Sequence, residues 1–210
     1  MPNQEATVVE TSSGHDLLDH VEPASARKLA HGALDSFFES GYGGTTTRHI
    51  SQQAGMSTGS LYTSFRSKEE ILFLLGRIGH ESALDTLVQA GKEAGTASDR
   101  VRRMVYEFTI WHARNYRIAR VSQYELAALA PDHHAVIAGI RHEIERVLRT
   151  EVERGVAQGE FDVTDVNGFT LAALSLGIDV ARWFSPTGRL TPEDLATSYA
   201  SLVMRMLKSS

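Results

Sequence analysis

An all-α fold is the prediction for this chain of 210 residues, and three observations carry it. Apolar residues recur at helical spacing almost everywhere after Pro23. No run alternates apolar and polar in the manner of a half-buried strand. Glycine, proline and hydroxyl residues fall where helices begin and end. Counting segments between those breaks gives about nine helices.

The first helix covers about 24–40, with Leu29, Ala33, Phe37 and Phe38 as its inner face and Gly41 as C-cap. Gly43-Gly44 marks a turn, and Thr45-Thr46-Thr47 offers capping hydroxyls to a short helix ending near Ala54. Gly55-Met56-Ser57 turns the chain into a second short helix, Thr58 to about Ser64. Ser67 caps a helix that opens with Lys68-Glu69-Glu70 and carries Ile71, Leu72, Leu74, Leu75 and Ile78. Residues 97–115 form the next (Val101, Met104, Val105, Phe108), and Arg117 to Ala128 another. Pro131 starts a helix striped by Ile137, Ile140, Ile144, Val147, Leu148, Val152 and Val156, which Gly159 ends. Asp165 to Phe184 is apolar on nearly every face and is expected to be buried all round. Thr191-Pro192-Glu193-Asp194 caps the last helix, whose face is Leu195, Tyr199, Leu202, Val203 and Met206.

Charge divides the chain unevenly. The net charge of -5 is matched by residues 1–23, which hold Glu5, Glu10, Asp16, Asp19 and Glu22 with no Lys or Arg. Residues 24–75 carry five basic side chains against four acidic ones, and the remainder is nearly neutral. A polyanionic partner therefore stays open despite the overall acidity. The polar, acidic segment 1–23 reads as a flexible tail, with one helical turn available at Asp16–Asp19. The start lacks a basic, apolar leader, and the apolar run 169–178 is too short to span a bilayer, so a cytoplasmic protein is expected. The chain contains no cysteine, which excludes disulfides, thiolate metal sites and cysteine nucleophiles.

Residues 46–68 are the most informative. Two short helices joined by a glycine-containing turn are the helix-turn-helix arrangement. With Ile50, Met56, Leu61 and Phe65 packed inward, Ser57, Gly59, Ser60, Tyr62 and Thr63 are left outside, on a helix able to enter a major groove. The second helix has no Arg, Lys, Asn or Gln, so bidentate base contacts fall to Arg48 and Gln52 on the first. Modest base discrimination per half-site follows, with DNA shape and dimer symmetry supplying the rest.

Gly41-Tyr42, Thr45-Thr46-Thr47, His49-Ile50, Ala54-Gly55-Met56-Ser57, Gly59-Ser60-Leu61-Tyr62, Phe65 and Lys68-Glu69 resemble the N-terminal domain of TetR-type regulators over about 24–75. The resemblance implies a homodimeric repressor released by a ligand. It would comprise an N-terminal three-helix DNA-binding domain (24–70) and a C-terminal helical bundle for ligand binding and dimerisation (71–210). It implies that Thr46 and Thr47 lie near a phosphate, that Thr58 to Thr63 is the reading helix with Tyr62 on the backbone, and that Lys68 contacts a phosphate. The DNA-contacting set is then Thr46, Thr47, Arg48, Ser57, Thr58, Gly59, Ser60, Tyr62, Thr63 and Lys68, reading a palindromic double-stranded operator.

In the second half, Met104, Phe108, Trp111, His112, Tyr116, Arg120, Tyr124, Asp179, Arg182 and Trp183 mix large apolar with polar groups, as a ligand pocket requires. Taken singly, each aromatic reads first as core, with arginines snorkelling outward. The run from His112-Ala113-Arg114-Asn115 to Arg120, with Tyr124-Glu125-Leu126, is similar to the acyl-CoA-sensing branch of the TetR family. That similarity implies an acyl-CoA of fatty-acid or steroid breakdown as inducer, its phosphates near Arg117, Arg120 or Arg182.

No catalytic motif or metal-ligand spacing stands out, and no cofactor is expected. His133-His134 are adjacent and diverge on a helix, and His142 with Glu145 reads as a solvated pair. The apolar segments 165–184 and 192–208 exceed what one subunit covers easily, so they are expected to form a two-fold dimer interface. A competing reading is a soluble helical ligand-binding or catalytic protein that keeps the helix-turn-helix only as scaffold. Sequence-selective DNA binding that falls steeply with salt separates the two.

Overall fold

The computed structural model describes residues 14–207. Among them are nine α-helices and no strand. In chain order the helices are α1 (Ala24–Gly44), α2 (Thr47–Gln53), α3 (Thr58–Ser64), α4 (Lys68–Gly91), α5 (Ala97–Arg114), α6 (Tyr116–Tyr124), α7 (Pro131–Ala157), α8 (Val166–Trp183) and α9 (Pro192–Met206). Their ends follow capping chemistry. Thr46, Ser57 and Ser67 each accept a backbone N–H from the third residue on, and Thr96–Asp99 and Thr191–Asp194 form reciprocal capping boxes. Gly41 leaves the helical region at φ 68°, so the regular part of α1 stops where the glycine predicts.

Two apolar clusters organise the molecule. The first joins α1–α3 to the start of α4 and also takes in Ile118 and Val121 of α6 and Ile137 of α7. The helix-turn-helix therefore shares a core with the body. The second cluster surrounds α5, which packs on α4, α7, α8 and α9. α6 lies between the clusters, touching α1 on one side and α4 and α8 on the other.

Several expectations are corrected. The helix expected over Arg117–Ala128 ends at Tyr124, where Glu125 turns the chain into a 3₁₀ turn, Leu126–Ala128. α8 is not buried all round: Leu171 is 53% and Trp183 42% exposed, because α5 and α7 cover only part of its circumference. On α9, Leu195 and Val203 are buried but Leu202 and Met206 stand 42% and 41% exposed. The inward face of α9 rotates towards Ala196, Ala200 and Met204, small or slender side chains that allow close approach to α5.

The acidic segment contains a 3₁₀ turn at Asp16–Leu18, with Leu18 fully buried against the first cluster. The His15 ring stacks on His31 at 4.9 Å and bonds Asp35 at 3.1 Å. Residues 14–22 thus pack on the body, while the rest of the expected tail, 1–13, lies outside the described residues. No helix among the described residues is long and apolar enough to cross a membrane.

Candidate DNA-binding face and ligand cavity

α2 and α3 are held by Ile50 and Leu61, both fully buried, so their remaining residues face outward. Arg48, Gln52, Ser57, Gly59, Tyr62 and Thr63 are exposed, and Thr47, Thr58 and Ser60 are half-buried beside them. Thr46 is exposed while its Oγ1 accepts the His49 N–H at 3.2 Å. The Tyr62 hydroxyl is 3.4 Å from Thr47 Oγ1, linking the two helices across their outer face. Ser57 Oγ caps α3 and lies 2.8 Å from Ser60 Oγ. The expected contact residues on these two helices are therefore brought onto one surface.

Lys68 is placed differently from the simple phosphate donor of the sequence reading. Its ammonium donates to the carbonyls of Tyr42 (2.6 Å) and Thr45 (2.7 Å) and sits 3.9 Å from the Tyr42 ring centroid. Burial pushes its pKa below the ordinary lysine value, with Glu125 opposing the shift. Two of its three protons hold the end of α1, and one is left to point elsewhere.

The body contains a cavity of about 410 Å³ between α4, α5, α6, α7 and α8. Phe108, Trp111, Ile137, Leu174 and Ile178 form apolar walls, and His80, His112, Ser122 and Gln123 supply the polar groups. At its outer edge His134, Arg141 and His142, all exposed, project from α7. Arg141 donates to Gln123 Oε1. Beside the cavity a Cβ on Gly79 would lie 2.7 Å from Ser122 Oγ, so α4 and α6 approach this closely only through glycine.

Of the ten residues expected at a ligand site, Phe108, Trp111 and His112 line this cavity. Met104 is wholly buried in the core. Tyr116 packs between Phe38 and Phe184. Arg120 donates to the carbonyls of Ala181 (3.2 Å) and Arg182, so it caps the end of α8. Asp179 and Arg182 pair with each other at 2.7 Å, and Trp183 is exposed. Arg120, Tyr124 and Arg182 instead border a smaller cleft of about 270 Å³ against Phe37 and Phe38. Arg117 is bound to Asp35 at 2.7 Å. Hydrogen bonding from His15 holds Asp35 below its ordinary carboxylate range, and the Arg117 charge adds to this against the effect of burial. None of the three arginines expected near a CoA phosphate thus lines the main cavity, whereas Arg141 does.

His80, Ser122 and Arg141 are cavity residues that the sequence reading omitted. The available signal was the small pair Gly79 and Ala83, four residues apart on α4, which line the cavity with His80. Both buried histidines are pushed far down, to about 4, mainly by burial. Among the described residues no cluster of His, Asp and Glu is suited to hold a metal ion.

Comparison with known proteins places this architecture. Residues 29–75 match the family described as bacterial regulatory proteins, tetR family, and residues 94–207 match the tetracyclin repressor-like C-terminal domain. A crystal structure of a tetR-family bacterial regulatory protein from Rhodococcus RHA1 is 37% identical, with a TM-score of 0.85 over 90% of this chain and 99% of that one. AibR, solved in complex with isovaleryl coenzyme A and operator DNA, shares the fold: 21% identity, TM-score 0.78, 85% of this chain and 97% of that one. The fatty acid metabolism regulator protein of Bacillus subtilis is 26% identical over 99 residues, 47% of this chain. That match spans about half of the curated relative, 51% of its length. A helix-turn-helix and a cavity-bearing helical body, matched in sequence across both halves, establish that this chain belongs to the TetR family of bacterial transcriptional regulators.

Proposed function

We propose that the protein is a homodimeric repressor that leaves a palindromic operator when a hydrophobic, anionic ligand enters the cavity of its body. The observation that carries this reading is the double engagement of α6. Ala119, Ser122 and Gln123 line the cavity, while Ile118 and Val121 pack in the cluster that contains the helix-turn-helix. A ligand that displaces α6 therefore alters the support of α1, through Arg117–Asp35 and through the Glu125 carboxylate on the Tyr42 N–H. On the DNA side, Thr46, Thr47, Ser57, Ser60, Tyr62 and the remaining Lys68 proton serve as backbone donors, and Arg48 reads bases.

An acyl-CoA is the ligand class we favour. Apolar walls suit an acyl chain, and Arg141 with His134 and His142 at the outer edge suits phosphates. In support, AibR was solved with isovaleryl coenzyme A, and the Bacillus subtilis relative is named a fatty acid metabolism regulator. Dimerisation is assigned to α8 and α9, where Leu171, Trp183, Leu202 and Met206 are exposed apolar residues.

Selection of duplexes from a random library, with and without acyl-CoAs of graded chain length, tests this reading. A palindromic motif lost on adding one of them is expected. A motif that survives all of them removes the ligand class, and the absence of any motif at moderate salt removes the regulator itself.

A further inference from the structure

The inner end of the cavity has a definite hydrogen-bonding polarity. His80 Nδ1 lies 2.7 Å from the Gly76 carbonyl, and His112 Nδ1 lies 2.8 Å from the Phe108 carbonyl. A carbonyl oxygen only accepts, so each Nδ1 carries the ring proton. Burial keeps both rings neutral at pH 7, since their pKa values are pushed to about 4. Each Nε2 is consequently a bare lone pair.

For His80 that lone pair is buried and has no partner in the protein. Two donors of the cavity wall are committed elsewhere: the Trp111 indole N–H donates to Ser82 Oγ at 2.9 Å, and the Ser122 hydroxyl donates to the Leu75 carbonyl at 3.3 Å. A buried acceptor left unmatched is costly, and a donor from the bound molecule removes that cost.

We infer that the inner end of the cavity is a hydrogen-bond acceptor site, and that its ligand carries an alcohol hydroxyl on an apolar body, donated to His80 Nε2. A ketone or thioester carbonyl in the same place would set lone pair against lone pair. The inference rests on the cavity being the ligand site and narrows the ligand class: an acyl-CoA matching both ends bears a hydroxyl on its acyl body, with its phosphates towards Arg141.

The test uses the full chain and a matched pair of probes, 1-octanol and 2-octanone, with binding measured by calorimetry for the wild type and His80→Phe. The wild type is expected to prefer the alcohol, and His80→Phe to lower that preference by about five- to tenfold, the effect of one buried hydrogen bond. Nitrogen-15 shifts of the wild-type histidines are expected to show His80 protonated on Nδ1 and bare on Nε2, a readout independent of the variant's folding. A proton on Nε2, an alcohol preference unchanged in His80→Phe, or no alcohol binding up to its solubility limit overturns the inference. If the alcohol binds as expected but no ligand of any kind shifts operator affinity, the inducer reading fails while the acceptor site stands.

Discussion

The Glu125 carboxylate accepts the backbone N–H of Tyr42 at 3.1 Å, bridging the end of α6 and the last turn of α1. The same Tyr42 offers its carbonyl and its ring to Lys68 at the start of α4. One residue at the kink of α1 is therefore held by the helix that borders the cavity and by the helix that leads into the body. Gly41 makes the arrangement possible, because its positive φ turns the Tyr42 N–H out of the α1 hydrogen-bond ladder.

Removing that bridge should weaken communication between the two sites. For Glu125→Ala we expect operator binding without inducer to persist, while the ratio of operator Kd with and without inducer shrinks by about fivefold or more. Titrating operator at both ligand conditions measures it. An unchanged ratio would assign coupling to another contact, and Arg117→Ala, which breaks the 2.7 Å pair with Asp35, is the next variant to compare.

Lys68→Met should act on stability first. It removes two charge-assisted hydrogen bonds at partly buried carbonyls, a loss of about 1–3 kcal/mol. Thermal unfolding, with hydrogen exchange at the end of α1, measures it. Loss of operator affinity with unchanged melting and exchange would return Lys68 to a purely phosphate-binding role.

On the DNA face, Arg48→Ala should relax discrimination at particular operator positions, costing about 1–3 kcal/mol on the best sequence and little on others. Tyr62→Phe should weaken all sequences alike and leave the motif unchanged. Binding to a panel of single-base operator variants separates the two. The reverse pattern would mean that α3, rather than α2, carries the base-reading group.

Stability should fall as pH drops from about 6.5 towards 4. His80 and His112 are held at about 4 in the folded chain against an ordinary 6.5, so between those values the unfolded chain binds more protons. Their contribution is complete above pH 6.5 and is lost progressively on acidification, about 3 kcal/mol per ring by pH 4. His80→Phe should lessen the slope of stability against pH by up to one proton. Denaturant melts across pH 4–7.5 provide the slopes, and equal slopes for both proteins would show that His80 is not neutral and buried in solution.

The wild type is expected to run as a dimer in light scattering, and Leu202→Glu with Met206→Glu, at side chains exposed on α9, as a monomer near 23.1 kDa. Operator affinity should fall with it, because a single helix-turn-helix spans only one half-site. A dimeric mass retained in the double variant would move the interface to another face.

Much of this protein was legible in one dimension. Helix starts at Thr46, Ser57, Ser67, Thr96 and Thr191 follow from a hydroxyl followed by a backbone N–H three residues on, which is local chemistry. The helix-turn-helix was readable for the same reason: Ile50, Leu61 and the turn at Gly55 lie within a few residues of each other. The exposed set on α2 and α3 then follows by exclusion. The extent of α6 was not legible, because Glu125 leaves the helix to bond Tyr42, which lies 83 residues earlier.

What the sequence by itself determined is the set of helices, their caps and the side chains exposed on α2 and α3, all properties of neighbours along the chain. Which side chains meet in the cavity was decided only by the tertiary structure. Helical periodicity says that a residue is on the inner face, but not which of several packed helices it meets or whether a gap is left there. Met104 and Phe108 share one face of α5, yet the first is sealed in core and the second opens on the cavity. Arg120 and Arg141 are both arginines beside apolar stripes, and only the end of α8 turns the first into a cap and leaves the second at the cavity edge. The close approach of α4 to α6 that Gly79 permits brings His80 and Ser122, far apart in sequence, to the wall of one cavity.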